Sequence, residues 1–235
     1  PTSFSIGESK LAWEATWSPD GKYIAFVDDD VRIRVINVED GNIITADVGG
    51  SNLDRGGSDL AWSPDSKKLA YIKTVSNNFH RVMIWDSEAK TVTPLTDEFA
   101  DAYSPTWDND KKHFYFLAST DVALGSGWAN TSSITANPSF AAYVVVLQKD
   151  QDSPFIPKSD EEEVKKEKPA DGDKKEEKPK EEKTEKSEDI KIDFDNIGRR
   201  TIAMPLPTGN YVSMAAGPAG SVFLAERPAG SFALT

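Results

Sequence analysis

Within the first fifty positions, short apolar runs and stretches of apolar–polar alternation are separated by polar turns. Val31, Ile33 and Val35 are separated by Arg32 and Arg34, and Tyr23-Ile24-Ala25-Phe26 comes before them, just after a Pro-Asp-Gly turn. A period of two sends successive side chains to opposite faces of a pleated strand, so the stretch reads as β and not as helix. Four strands are predicted near residues 11–17, 22–28, 31–38 and 42–48, with turns at Asp28-Asp29-Asp30 and Glu39-Asp40-Gly41-Asn42. The same series follows at 58–62, 67–74, 80–86 and 91–95, broken by Ser76-Asn77-Asn78 and Ser87-Glu88-Ala89-Lys90. A third series has a strand near 112–118, a Gly/Ser/Asn/Thr-rich loop over 119–139 and an apolar strand from Ala141 to Leu147. Strand character returns at Ile190 to Phe194 and at Arg199 to Met204, read together as the delayed closing strand of that series. A fourth series opens with Tyr211 to Ala215 and Ser221 to Leu224, across the turn Gly217-Pro218-Ala219-Gly220.

The three series are copies of one unit. Trp17-Ser18-Pro19-Asp20-Gly21-Lys22-Tyr23-Ile24-Ala25-Phe26 returns as Trp62-Ser63-Pro64-Asp65-Ser66-Lys67-Lys68-Leu69-Ala70-Tyr71 and, altered, as Trp107-Asp108-Asn109-Asp110-Lys111-Lys112-His113-Phe114-Tyr115-Phe116, with the Trp positions 45 residues apart. Proline presets φ for a tight turn, and Asp, Asn or Gly tolerates the next position. A repeat of about 40–50 residues holding four short strands is the length of one propeller blade. The predicted fold is therefore all-β: about three and a half blades of four antiparallel strands, an incomplete propeller with a charged insertion. Residues 1–150 form blades one to three, 151–189 the insertion, and 190–235 the closing strand of the third blade and the start of a fourth. A ring needs at least about four blades to remove its strand edges, so the segment is expected to be an open arc.

Charge refines this picture in one place. The net charge is −12 over 235 residues, and Lys158 to Asp189 is almost entirely Lys, Glu, Asp, Pro and Ser, with Val164 the one sizeable aliphatic residue. Such a stretch cannot bury enough apolar surface to offset its ordering entropy, and disorder is expected there. An acidic balance gives phosphate backbones little to bind, which sets nucleic acid aside. No apolar run is long enough to span a bilayer, so no membrane partner is expected. The start at Pro1 reads as internal to a longer chain. With no cysteine, disulfides and thiolate chemistry are excluded, while the compartment stays open.

Candidate chemistry is sparse. No Gly-x-Ser-x-Gly elbow occurs, and His80 and His113 lack the spacing that puts two metal ligands on one face. Both read as structural or surface residues. Gly49-Gly50 and Gly56-Gly57 lack a following Lys-Ser/Thr and read as turn glycines and not as a phosphate loop. Asp28-Asp29-Asp30 and Asp108-Asn109-Asp110 offer oxygens of the kind calcium takes, but a site needs six or more converging ligands, so solvated hairpins are the plainer reading. Trp17, Trp62 and Trp107 suggest either a stacking platform or blade-to-blade packing, and their fixed place in each unit favours packing. No catalytic, cofactor-binding or metal residue is assigned, and no cofactor is expected.

The repeat alone is shared by TolB-like proteins and by the propellers of prolyl-oligopeptidase-type enzymes. The swollen third unit is more particular. Ser104-Pro105-Thr106-Trp107, Phe114 to Thr120, Gly127-Trp128, Tyr143 to Asp150 with Ser153-Pro154-Phe155, Pro157 to Glu162, and Ile192-Asp193-Phe194-Asp195-Asn196-Ile197-Gly198-Arg199-Arg200 together resemble bacterial tricorn protease homologues. The resemblance implies a large serine peptidase, homo-oligomeric and cytoplasmic (or else periplasmic), with propellers ahead of a PDZ-like module and catalytic domains. Its propellers would guide peptide substrates, and its catalytic residues would lie outside this chain. Arg199 and Arg200 would meet a peptide carboxylate only if they faced a channel; an exposed strand edge is the plainer reading. The alternatives are a non-enzymatic TolB-like scaffold and the gating propeller of a prolyl-oligopeptidase-like enzyme.

Overall fold

The computed structural model of the chain describes residues 3, 5–50, 57–121, 139–155 and 189–228. Blade 1 is β1 (Ala12–Trp17), β2 (Tyr23–Asp28), β3 (Arg32–Asn37) and β4 (Ile43–Val48), paired antiparallel in that order. Blade 2 repeats the order with β5 (Ala61–Trp62), β6 (Lys68–Thr74), β7 (His80–Asp86) and β8 (Thr91–Pro94). Blade 3 is β9 (Asp101–Trp107), β10 (His113–Ser119), β11 (Ala141–Val146) and β12 (Thr201–Ala203). A two-stranded sheet of β13 (Tyr211–Ala216) and β14 (Val222–Glu226) opens the fourth. The fold is all-β, an incomplete propeller, with no α-helix among the described residues.

Each middle strand is buried on both faces, which is why its sequence is apolar without interruption. Leu69 and Tyr71 pack with Ala25, Val27, Ile33 and Val35 of blade 1, while Ala70 and Ile72 turn to blade 3 and meet Trp107, Phe114 and Phe116. Tyr115 and Leu117, on the other face of β10, pack against Tyr211 and Met214 of the fourth unit. Three apolar layers thus alternate with the blades, and period two decides which layer each residue joins.

The turn between the first two strands is built by its own side chains. Ser18 Oγ donates to Asp20 Oδ1 at 2.6 Å and accepts the Tyr23 amide at 2.9 Å. Ser63 and Asp65 repeat the arrangement, and Ser63 Oγ takes the Lys68 amide at 2.9 Å. Gly21, Ser66 and Lys111 hold the same turn position with φ of 71°, 62° and 63°. That left-handed backbone suits glycine and strains the other two.

Two sequence expectations need correction. Residues 58–62 shorten to the two-residue β5, because Asp59 takes φ 49° and the Ser58 and Leu60 amides go to a carboxylate in blade 1. The closing strand of blade 3 contains neither 190–194 nor Arg199–Arg200. There the Ile190 amide donates to Asp65 Oδ2 at 2.7 Å and the Asp193 amide to the Leu147 carbonyl at 2.9 Å, so the backbone is used in single anchors and makes no ladder. Asn196, at φ 53°, then starts a 3-10 turn over Ile197–Arg200, and pairing begins only at Thr201. Most of the loop expected over 119–139 and most of the charged insertion (122–138 and 156–188), together with Gly56, lie outside the described residues.

Candidate functional site

Consecutive blades are tied by hydrogen bonds between their first, inner strands. Glu14 accepts the Ser58 amide at 2.7 Å and the Leu60 amide at 2.6 Å; Asp59 accepts the Ser104 amide at 2.9 Å; Ser104 Oγ accepts the Met214 amide at 2.8 Å. Glu14, Asp59 and Ser104 all stand three residues before the repeat Trp, 45 residues apart. A second set runs backwards: Trp107 Nε1 donates to the Ala61 carbonyl at 3.0 Å, and Trp62 Nε1 lies 3.4 Å from the Thr16 carbonyl. Trp62 and Trp107 are buried, as expected for packing, whereas Trp17 is 58% exposed. The polar half of these contacts carries the same 45-residue period as the tryptophans, in Glu14, Asp59 and Ser104.

Two concave sites flank these contacts. An axial cleft of about 400 Å³ lies among the inner strands β5, β9 and β13, with Pro64, Pro105 and Pro19 around Trp62, Trp107 and Asp59. A deeper crevice of about 510 Å³ separates blades 2 and 3, lined by Leu95, Ala102, Phe116, Tyr143, Phe194 and Ile197, with Arg81 beside it.

The residues singled out by sequence are structural in their contacts. His80 Nδ1 meets Asp101 Oδ1 at 2.8 Å, and His113 Nδ1 meets Asp110 Oδ2. No serine hydroxyl among the described residues bonds to either ring. The carboxylates of Asp28-Asp29-Asp30 are taken by protein donors: Asp28 takes Arg32 Nε and Ser9 Oγ, each at 2.7 Å, Asp29 the Lys10 amide at 2.9 Å, and Asp30 pairs with Arg32 at 3.2 Å. Burial works against the Asp28 charge, but the bonds from Arg32 and Ser9 win and hold its carboxyl below the usual range. Asp108, Asp110 and His113 do bring three ligand atoms within 4.8 Å. Their oxygens already serve the turn, however, with Asp108 accepting the Gly220 amide at 2.9 Å and the Tyr115 hydroxyl at 2.6 Å. Burial and that bond push the Tyr115 phenol well above its ordinary pKa. The group clasps the fourth unit to blade 3.

Arg200 is a staple. It donates to the carbonyls of Val146 at 3.0 Å, Asp195 at 3.1 Å and Asp193, while Arg199 is exposed in the 3-10 turn, so neither forms a strand edge. Gly49 and Gly50 are required by space: a Cβ on Gly50 would lie 1.9 Å from the Thr74 carbonyl oxygen.

The family model for the tricorn protease second beta propeller domain matches residues 4–234. The chain belongs to this family. Among solved structures, a crystal structure of the tricorn protease superposes with a TM-score of 0.64 at 17% identity, covering 94% of this chain and 19% of that one. That likeness shows the fold, and the tricorn-family chain spans about a fifth of the solved protein. TolB from Acinetobacter baumannii (TM-score 0.40, 19% identity, 61% of this chain and 31% of that one) and an oligogalacturonate lyase from Vibrio parahaemolyticus (0.42, 19%, 57% and 36%) are partial likenesses. No curated protein matches the chain. No helix of the tricorn-family chain, among the described residues, is long and apolar enough to cross a membrane.

Proposed function

We propose that the chain is a non-catalytic propeller segment of a tricorn-like serine peptidase and that it guides peptide substrates towards catalytic domains elsewhere in the protein. Membership of the tricorn second-propeller family over residues 4–234 carries the reading. The axial cleft supports it. The inner-strand amides of Ser58, Leu60, Ser104 and Met214 are already taken by Glu14, Asp59 and Ser104. A peptide in the cleft would therefore meet proline, tryptophan and carboxylate side chains and not an open strand edge, the contact that strand addition requires. Such contacts hold a passing chain weakly and without a fixed register. The reading carries with it a homo-oligomeric, cytoplasmic parent in which this segment sits beside PDZ-like and catalytic domains.

Sequencing the flanking gene and assaying both products tests it. The expected outcome is a downstream PDZ-like module and serine nucleophile, with fluorogenic peptides cleaved by the whole protein and untouched by the 235-residue chain. A secretory signal upstream with no hydrolase downstream would transfer the chain to the TolB-like scaffolds. A downstream Gly-x-Ser-x-Gly elbow would make it the gate of a prolyl-oligopeptidase-like enzyme.

A further inference from the structure

We infer that the crevice between blades 2 and 3 is a pocket for one large apolar side chain of a peptide, phenylalanine or leucine, an assignment that rests on the peptide-guiding role proposed above. The two walls part beyond the end of β8. That strand stops at Pro94, the Leu95 amide still donates to the Val82 carbonyl at 2.8 Å, and the chain then turns away through Thr96 to Phe99, opposite Ala102, Phe116, Ala118 and Tyr143 of blade 3. Ala102 and Ala118 on that sheet are too small to fill the gap, which leaves about 510 Å³, a volume within the roughly 300–1,000 Å³ range of small-ligand sites.

The lining selects the occupant. Phe116 and Tyr143 stack with centroids 5.3 Å apart and rings 13° from parallel, giving an aromatic wall against which a planar or branched apolar group packs. Phe99 stands at the mouth, 85% exposed, on a turn fixed by Asp97 Oδ1 accepting the Phe99 amide at 3.0 Å. An exposed aromatic continuous with an apolar cavity and rimmed by polar groups marks an interaction site. Arg81 is already engaged, through the Thr96 carbonyl and through Glu98 at 3.1 Å, and the Asp97 carboxylate at the mouth accepts the Phe99 amide and would repel an acidic guest. The apolar floor of Leu95, Ala102, Phe116 and Ile197 carries no side-chain hydrogen-bonding group, so a polar side chain pressed against it would lose its water without compensation. The Tyr143 hydroxyl makes no hydrogen bond among the described residues, and it remains available to the guest's backbone.

Gly198 provides the test. It lines the crevice, and a Cβ built on it meets nothing within 4 Å, so Gly198→Trp plugs the space without pressing on the backbone. Two fluorescein-labelled Gly/Ser peptides, one bearing a central Phe and the other Ser at that place, are titrated into the full 235-residue chain by fluorescence polarisation. The Phe peptide is expected to bind about tenfold tighter or more, the effect of burying one aromatic ring. Gly198→Trp should erase that difference with the circular dichroism spectrum unchanged, and Phe99→Ala should weaken it. In the unaltered chain, N-acetyl-phenylalaninamide, but not N-acetyl-serinamide, should displace the Phe peptide. Equal binding of the two peptides, or a preference that survives both Gly198→Trp and the competitor, overturns the pocket and leaves the guiding role standing. Failure of the wild-type chain to bind either peptide overturns both.

Discussion

Glu14 accepts two backbone amides of the next blade, at 2.7 and 2.6 Å. Glu14→Ala should cost about 1–3 kcal/mol of stability in urea unfolding, the penalty of stranding partly buried donors, and Glu14→Gln less, since one acceptor oxygen survives. A gain is expected at Lys111, whose φ of 63° sits where the first repeat has Gly21. Lys111→Gly should raise stability by about 1 kcal/mol, read as a shift of the urea midpoint at constant slope. The acid side depends on Asp28. Its carboxyl is held below the ordinary value against the effect of burial, by the Arg32 amide, the Ser9 hydroxyl and the Arg32 side chain. The stability it contributes is therefore complete above the unfolded carboxylate pKa of about 3.9 and is lost as pH falls through the lower folded value. Asp28→Asn should be less stable at neutral pH and should lose less between about pH 4 and pH 2. Of these residues the sequence announced the tryptophans and the turn glycine. A lone carboxylate on a strand looks the same whether it faces water or the next blade, so Glu14 and Asp59 were legible only through their shared offset from Trp.

Blade 3 shows what period-two reading captures and what it misses. Alternating apolar residues located β10 and β11 because each of those strands is buried on both faces. The same alternation at Ile190, Ile192 and Phe194 looked like a strand. Those side chains do join the apolar layer between blades 2 and 3, but the backbone takes its bonds from Asp65 and Leu147 instead of from a neighbouring strand. Burial pattern fixes where side chains go; it does not fix the partner of each amide. The return of the chain is clamped further by Lys67, which bridges Glu88 at 2.7 Å and Asp189 at 2.9 Å, both bonds holding its ammonium well above the usual pKa. Replacing residues 158–187 with a short Gly/Ser linker should leave Tm nearly unchanged, because loop length enters closure entropy only logarithmically. Extending the replacement through Asp189 and Ile190 should lower Tm. A differential scanning measurement on the two variants separates the composition of the insertion from the anchor at its end.

At the scale of the molecule the arc is a stack of sheets joined by apolar layers, with inner-strand hydrogen bonds setting the order of the blades. The repeat period gave the architecture, since a 45-residue unit of four strands has few other ways to bury both faces. The crevice was not legible: it lies between two blades, beyond the end of β8, and no single repeat displays it. Among the described residues no serine hydroxyl bonds to the ring of His80 or His113, whose Nδ1 atoms meet Asp101 and Asp110. The most direct test is to incubate the 235-residue chain with labelled peptides and follow polarisation and peptide mass together. The account predicts saturable binding with every peptide recovered intact. Cleavage abolished by a single Ser or His substitution within this chain, or no binding at all, would contradict it.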